Sequence, residues 1–178
     1  LCFVIAIAMP LLSSDEIKID SIDARIITTI DPDTLSLEGN VVIKTKLLEF
    51  WSEKAIYNKR KKSIKLEGSI KVLSKHLDIS AQEMEANLLD RTFYITETSF
   101  SFMKKNFGNA DSIQIYANEK IELLNTSLNS CSIEDPAWKL EAESLTILET
   151  GKNAVTKGVS LKIKEIPVLY IPYLRTAV

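Results

Sequence analysis

Apolar residues along this chain recur at every second position, separated by charged or hydroxyl side chains. Leu35-Ser36-Leu37-Glu38 and Ile64-Lys65-Leu66-Glu67 show the period of a strand that buries one face. Five segments line up on one pattern: a small residue, an apolar pair, a polar turn, then two more alternating pairs. The first copy carries Ser21, Ala24, Ile26, then Leu35, Leu37, then Val41, Ile43. The second carries Ser52, Ala55, Tyr57, then Ile64, Leu66, then Ile70, Val72. The third has Ala81, Met84, Ala86, then Phe93, Ile95, then Phe100, Phe102, and the fourth Ala110, Ile113, Ile115, then Ile121, Leu123, then Leu128. The fifth, Ala142, Leu145, Ile147, then Ala154, Val155, Leu161 and Ile163, is less regular. The copies lie about thirty residues apart, a spacing typical of stacked repeats.

The breaks carry turn chemistry: Asp31-Pro32-Asp33, Asn58-Lys59-Arg60, Asn87 to Asp90, Asn118-Glu119 and Thr150-Gly151-Lys152. Each copy therefore reads as a hairpin. Gly39 and Gly68 occupy the same repeat position, where the alternation shifts by one, and this predicts a bulge or bend at which the strand turns a corner. A hairpin cannot bury its apolar face alone, so the copies are expected to stack into an open, folded-over antiparallel sheet. No segment keeps a three-and-four apolar spacing over several turns, and almost no helix is expected. The fold class is all-β.

At 178 residues the chain is long enough for one well-cored unit, and its formal net charge of -2 gives no broad electrostatic footprint for nucleic acid. Leu1 to Leu12 form an apolar run, too short to span a bilayer, closing in Ser13-Ser14 before Asp15 and Glu16. It resembles the back of a secretory signal peptide, with residues 1–14 as its remnant and the start of the reading frame missing; the alternative is a buried first strand. Removal of the signal would take Cys2 and leave Cys131 alone, and an odd cysteine in an exported chain points to a partner outside the segment.

There is one histidine, His76, in the polar turn Ser74-Lys75-His76, with no Cys-x-x-Cys, Gly-rich phosphate loop or nucleophile elbow. No enzyme, metal site or cofactor is expected, and His76 reads as a surface loop residue. The run Lys59-Arg60-Lys61-Lys62 reads as a solvated hairpin tip, with lipid phosphate contact as its alternative. The inward-facing positions are Ile26, Leu37, Ile43, Tyr57, Leu66, Val72, Phe93, Ile95, Phe100, Phe102, Ile115, Leu123, Leu128 and Ile147, with alanines between them. They form either a packed core or a slot for acyl chains, each sheltered methylene then contributing roughly 0.8 kcal/mol. Periodicity leaves that choice open.

Two segments near the end carry a resemblance. Asn129-Ser-Cys131-Ser-Ile-Glu-Asp-Pro136-Ala-Trp138-Lys-Leu-Glu-Ala142 resembles the OstA-type domain that opens the LptD family of lipopolysaccharide-assembly proteins. Ile166-Pro167-Val-Leu-Tyr-Ile-Pro172-Tyr173 is similar to that family's junction between periplasmic domain and outer-membrane barrel. The resemblance covers about residues 20 to 175, and its repeats are shared with the LptA and LptC proteins. It implies a β-jellyroll over residues 15–165, a junction at 166–178 and a barrel beyond the segment. It also implies an interior groove for the acyl chains of lipopolysaccharide, placed at the periplasmic face of the outer membrane.

As partners the resemblance implies an LptA-type bridge protein, pairing with the first repeat at Ile22 to Ile30, and an LptE-type plug lipoprotein held through the barrel. Cys131 is implied to form a disulfide with a barrel cysteine. Pro136 and Trp138 also have plain structural readings, a rigid turn and an aromatic anchor. An LptA- or LptC-type bridge protein is the nearest alternative, and a non-catalytic scaffold or polysaccharide-binding solenoid the next.

Overall fold

The computed structural model describes residues 18–46, 48–73, 77–102, 106–118, 120–129, 137–148 and 153–177. Within them the chain forms twelve strands and no helix: β1 (Ile19–Asp23), β2 (Ile26–Asp31), β3 (Thr34–Thr45), β4 (Glu49–Asn58), β5 (Ser63–Leu73) and β6 (Leu77–Asn87). There follow β7 (Thr92–Phe102), β8 (Asn106–Ile115), β9 (Ile121–Asn129), β10 (Trp138–Leu148), β11 (Asn153–Ile163) and β12 (Ile166–Ala177). All pair antiparallel in one sheet, in chain order from β3 to β12. The first edge is shared: β1 lies along Val42–Thr45 of β3 and β2 along Thr34–Glu38. The break between them falls at Ala24-Arg25, where the Arg25 N–H donates to the Gly39 carbonyl at 2.9 Å.

That contact marks the crease. Gly39 (φ 77) and Asn40, then Gly68 (φ 74) and Ser69, carry left-handed backbone, and the ladder loses register beside each pair. Glu97, Asn125 and Gly158 repeat the conformation in β7, β9 and β11. A single sheet with no second layer can bury side chains to a few per cent exposure only by folding one half over the other. The bends do this, turning each long strand so that its two halves belong to opposing walls.

The register aligns the walls in rows. Leu37, Ala55, Leu66, Met84, Ile95, Ile113, Leu123 and Leu145 follow one another strand by strand in the first wall. Ile43, Phe50, Val72, Ile79, Phe100, Gly108 and Leu128 run along the second. At the crease between them stand Ser52, Ala81, Ala110 and Ala142, all buried. These are the small residues that open the second to fifth repeats. Val41, Ile70, Thr98 and Thr126 stand opposite them in the same row, all buried, so the small residue makes room for a larger neighbour across the ladder. The buried apolar side chains form one continuous cluster from Leu37 to Ala154. Burying each large one contributes about 1.5–3 kcal/mol.

Candidate functional site

The interior between the walls is the candidate site, and its chemistry is set by exclusion. Among the described residues no Asp, Glu, Lys, Arg or His is buried; the buried polar side chains are Ser52, Thr98, Thr126, Ser127, Asn129 and Thr156. A space lined mainly by aliphatic and aromatic side chains, with Tyr57 packed partly buried against it, offers chiefly dispersion and dehydration. Among the described residues no three His, Cys, Asp or Glu side chains are placed to share a metal ion.

Charges sit on the outer face, in ladders that tie neighbouring strands. Glu141 meets Lys139 at 2.8 Å and Lys162 on β11 at 2.6 Å, and these two ammonium groups, Lys139 first, lower its carboxyl pKa. Glu122 meets Lys120 at 2.6 Å and accepts the Tyr116 hydroxyl at 2.6 Å, which lowers its pKa, chiefly through Lys120. These groups stabilise the sheet from outside. None faces the interior.

The walls are held together differently from the strands. The backbone hydrogen bonds described here join neighbouring strands or close the turns between them. Contact between walls is made by side chains, closed along the crease and bounded on the opposite side by strand ends. Along this seam the apolar side chains form one continuous buried cluster.

Leu37, Ile43, Leu66, Val72, Phe93, Ile95, Phe100, Ile115, Leu123 and Ile147 lie in this interior with 5% exposure or less, and Tyr57 and Leu128 pack against them partly buried. Ile26 departs from expectation: it is 52% exposed, because β2 is an edge strand with no wall folded over it. Phe102 ends β7 but its side chain, like Cys131, Pro136, His76 and the apolar run 1–14, lies outside the described residues. Trp138 opens β10, half-buried, opposite Ile163.

Pro167, Pro172 and Tyr173 are exposed on β12, the twelfth strand of the same sheet, so the sheet continues through the segment read as a junction. Both prolines sit where the ladder is irregular, Pro167 beside the register shift at Leu161-Lys162 and Pro172 opposite Gly158. Lacking an N–H, proline belongs in an edge strand at such places. The basic tip residues Lys59, Arg60 and Lys61 are exposed.

Sequence reasoning missed three features of the site. The bends at Glu97 and Asn125 replace the expected glycine with ordinary residues, and only their repeat position pointed to them. Gly108 was passed over, although it interrupts an apolar row just where the Phe100 ring crosses to the next strand. The two sheet edges are more apolar than parity suggested: Ile27 and Ile30 on β2, and Ile166, Leu169 and Tyr170 on β12, are each more than half exposed.

The LPS-assembly protein LptD of Acinetobacter baylyi is 27% identical over 144 residues, covering 77% of this chain and 17% of that protein. The LptD of Legionella pneumophila is 37% identical over a shorter stretch of 68 residues, 38% of this chain and 8% of that protein. The chain is LptD-like. It spans about a fifth or less of the length of the LptD proteins it matches. No protein-family model matches it. Among solved structures, LptH of Pseudomonas aeruginosa, the LptA homologous periplasmic component of the lipopolysaccharide transport device, aligns with TM-score 0.49 and 11% identity. That alignment covers 59% of this chain and 80% of LptH. The fold of the LptD-like chain is defined by its own strand order and register, an open twelve-stranded β-jellyroll.

Proposed function

We propose that this LptD-like domain is a non-catalytic carrier in lipopolysaccharide transport and outer-membrane assembly, working at the periplasmic face of the outer membrane. It takes lipopolysaccharide from a periplasmic bridge protein and passes its acyl chains along the apolar interior toward an outer-membrane barrel. The similarity to LptD over most of the chain is the observation that carries this reading. A charge-free interior whose walls meet through side chains alone supports it physically. Acyl chains entering at the seam replace wall-to-wall contacts with lipid-to-wall contacts, and each sheltered methylene contributes roughly 0.8 kcal/mol. The chain carries no phosphate-binding Gly-rich loop, so the carrier is passive and movement is driven from elsewhere.

The bridge protein docks, on this reading, along the first edge at Ile22 to Ile30, most of which lies on the exposed strand β2, by adding a strand. A plug lipoprotein of the LptE type joins through the barrel, Cys131 pairs with a barrel cysteine, and Trp138 anchors the start of β10. Photo-crosslinking residues at Leu66, Phe93 and Leu123 in cells test the interior route. Adducts with lipopolysaccharide at these positions are expected, and their absence at all three, with adducts at a control site elsewhere in the pathway, overturns it.

A further inference from the structure

The first wall carries a trough near its hairpin tips, floored by the core residues Ile64, Ala86, Phe93 and Ile115 and flanked by exposed polar positions of the outer face. Its volume is about 390 Å³, and it crosses β4 to β8 close to the hairpin tips. Register places Lys65, Glu85, Tyr94 and Gln114 opposite one another in successive strands along its length. With strands about 4.8 Å apart, these four span roughly 14 Å. Asn58 and Asn87 form the end nearest the tips, and both are already committed. Asn58 donates to Thr34 at 2.9 Å and accepts from the Lys61 N–H, while Asn87 donates to Asp90 at 2.8 Å and accepts from the Leu89 and Asp90 N–H groups. They stiffen the rim. The ligand-facing groups are then one half-exposed aromatic ring, an amide, a carboxylate and an ammonium, the ammonium of Lys65 pairing with Glu67 on its own strand at 3.1 Å and loosely with Glu85 at 3.8 Å.

A flat ring among mixed donors and acceptors suits a ligand that alternates C–H faces with hydroxyls, because the ring face attracts polarised C–H groups and the side chains satisfy the O–H groups. It does not suit an acyl chain, which leaves those polar groups unpaired. The adjoining tip, whose Lys62 carbonyl accepts from Leu88 N–H of the next tip at 2.9 Å, projects Lys59, Arg60 and Lys61 into solvent beside Asn58. We propose that this trough binds a saccharide, with acidic substituents of that saccharide directed to the Lys59-Arg60-Lys61 tip. The proposed carrier role enters only as a source of ligand: the phosphorylated sugar head group of lipopolysaccharide, the other source being an acidic cell-wall glycan.

Titration calorimetry on the 178-residue chain tests this with three probes: a deacylated, phosphorylated inner-core oligosaccharide of lipopolysaccharide, the same oligosaccharide after phosphatase, and a muropeptide fragment. Saturable binding of the phosphorylated oligosaccharide is expected. Tyr94→Ala and Gln114→Ala each weaken it about fivefold. Dephosphorylation and the triple change Lys59→Gln/Arg60→Gln/Lys61→Gln cause losses that do not add, since they remove two ends of one contact. Preference for the muropeptide keeps the site and removes its link to lipopolysaccharide. Binding of none of the probes, or binding that neither Tyr94→Ala nor Gln114→Ala alters in a chain with unchanged circular dichroism, overturns the proposal. Leu66 and Leu123 do not line the trough, so crosslinking at those two positions reports on the interior separately from this test.

Discussion

Replacing Gly108 with alanine tests the packing logic of the second wall at a single atom. An alanine Cβ at this position would lie 2.4 Å from the Ser127 carbonyl oxygen and 2.5 Å from the Phe100 ring. The carbonyl belongs to a strand in the ladder, and Phe100 is only 5% exposed within the core, so neither neighbour has room to withdraw. Overpacking of this kind costs about 1–3 kcal/mol, and the immobile neighbours put Gly108→Ala at the upper end. Against this, alanine restricts the unfolded chain and returns about 0.4–1 kcal/mol, since the glycine's φ is not left-handed.

The net destabilisation is about 2 kcal/mol, or a fall in Tm of about 4–8 °C for a domain of this size. Urea and thermal unfolding followed by circular dichroism measure it. The ring and the carbonyl are separable: in a Phe100→Leu background the ring contact is gone, and Gly108→Ala is expected to cost at least about 1 kcal/mol less than in the parent chain. A variant within about 0.5 kcal/mol of the parent, or strict additivity with Phe100→Leu, refutes the reasoning.

Three further outcomes are expected. Leu66→Ala, at 1% exposure in the middle of the first wall, lowers unfolding free energy by about 3 kcal/mol in urea titrations. The pair Ile27→Lys/Ile30→Lys, both on the exposed edge strand, shifts Tm by no more than about 2 °C yet abolishes crosslinking to an LptA-type bridge protein; retained crosslinking removes that edge from the docking proposal. Glu141→Gln lowers stability near neutral pH by about 0.5 kcal/mol, since its carboxylate is partly exposed and screened. Its carboxyl pKa is lowered by folding, so the contribution is complete above the ordinary carboxylate range and is lost as pH falls through the lowered folded value. The parent and variant curves therefore converge in acid.

The repeat was legible because burial on one face forces period two, and because the small residue at each crease is a steric requirement. Ser52, Ala81, Ala110 and Ala142 could be aligned from sequence before any wall was visible. Among the described residues the inward set follows the same parity, with Ile26 the exception: parity tells which side of a strand a residue takes, not whether another wall covers that side. The bends at Glu97 and Asn125 were invisible for a related reason, since the surrounding fold, not residue propensity, holds these side chains in left-handed backbone. Strand β12 lay in the segment read as a junction, and its two prolines stand at gaps in its ladder with β11. The outer trough depends on which residues of five strands stand abreast, and register across turns is not written in any one segment.

Pairing in strict chain order has a consequence for how such a molecule is made and altered. Every strand from β3 to β11 is bonded to its predecessor and successor, so ordered structure can grow one hairpin at a time from any starting turn. The conformational search does not lengthen as hairpins are added. Duplication or loss of one repeat leaves each remaining neighbour relation intact, so length is a property that a lineage can change in single steps without redesigning the walls.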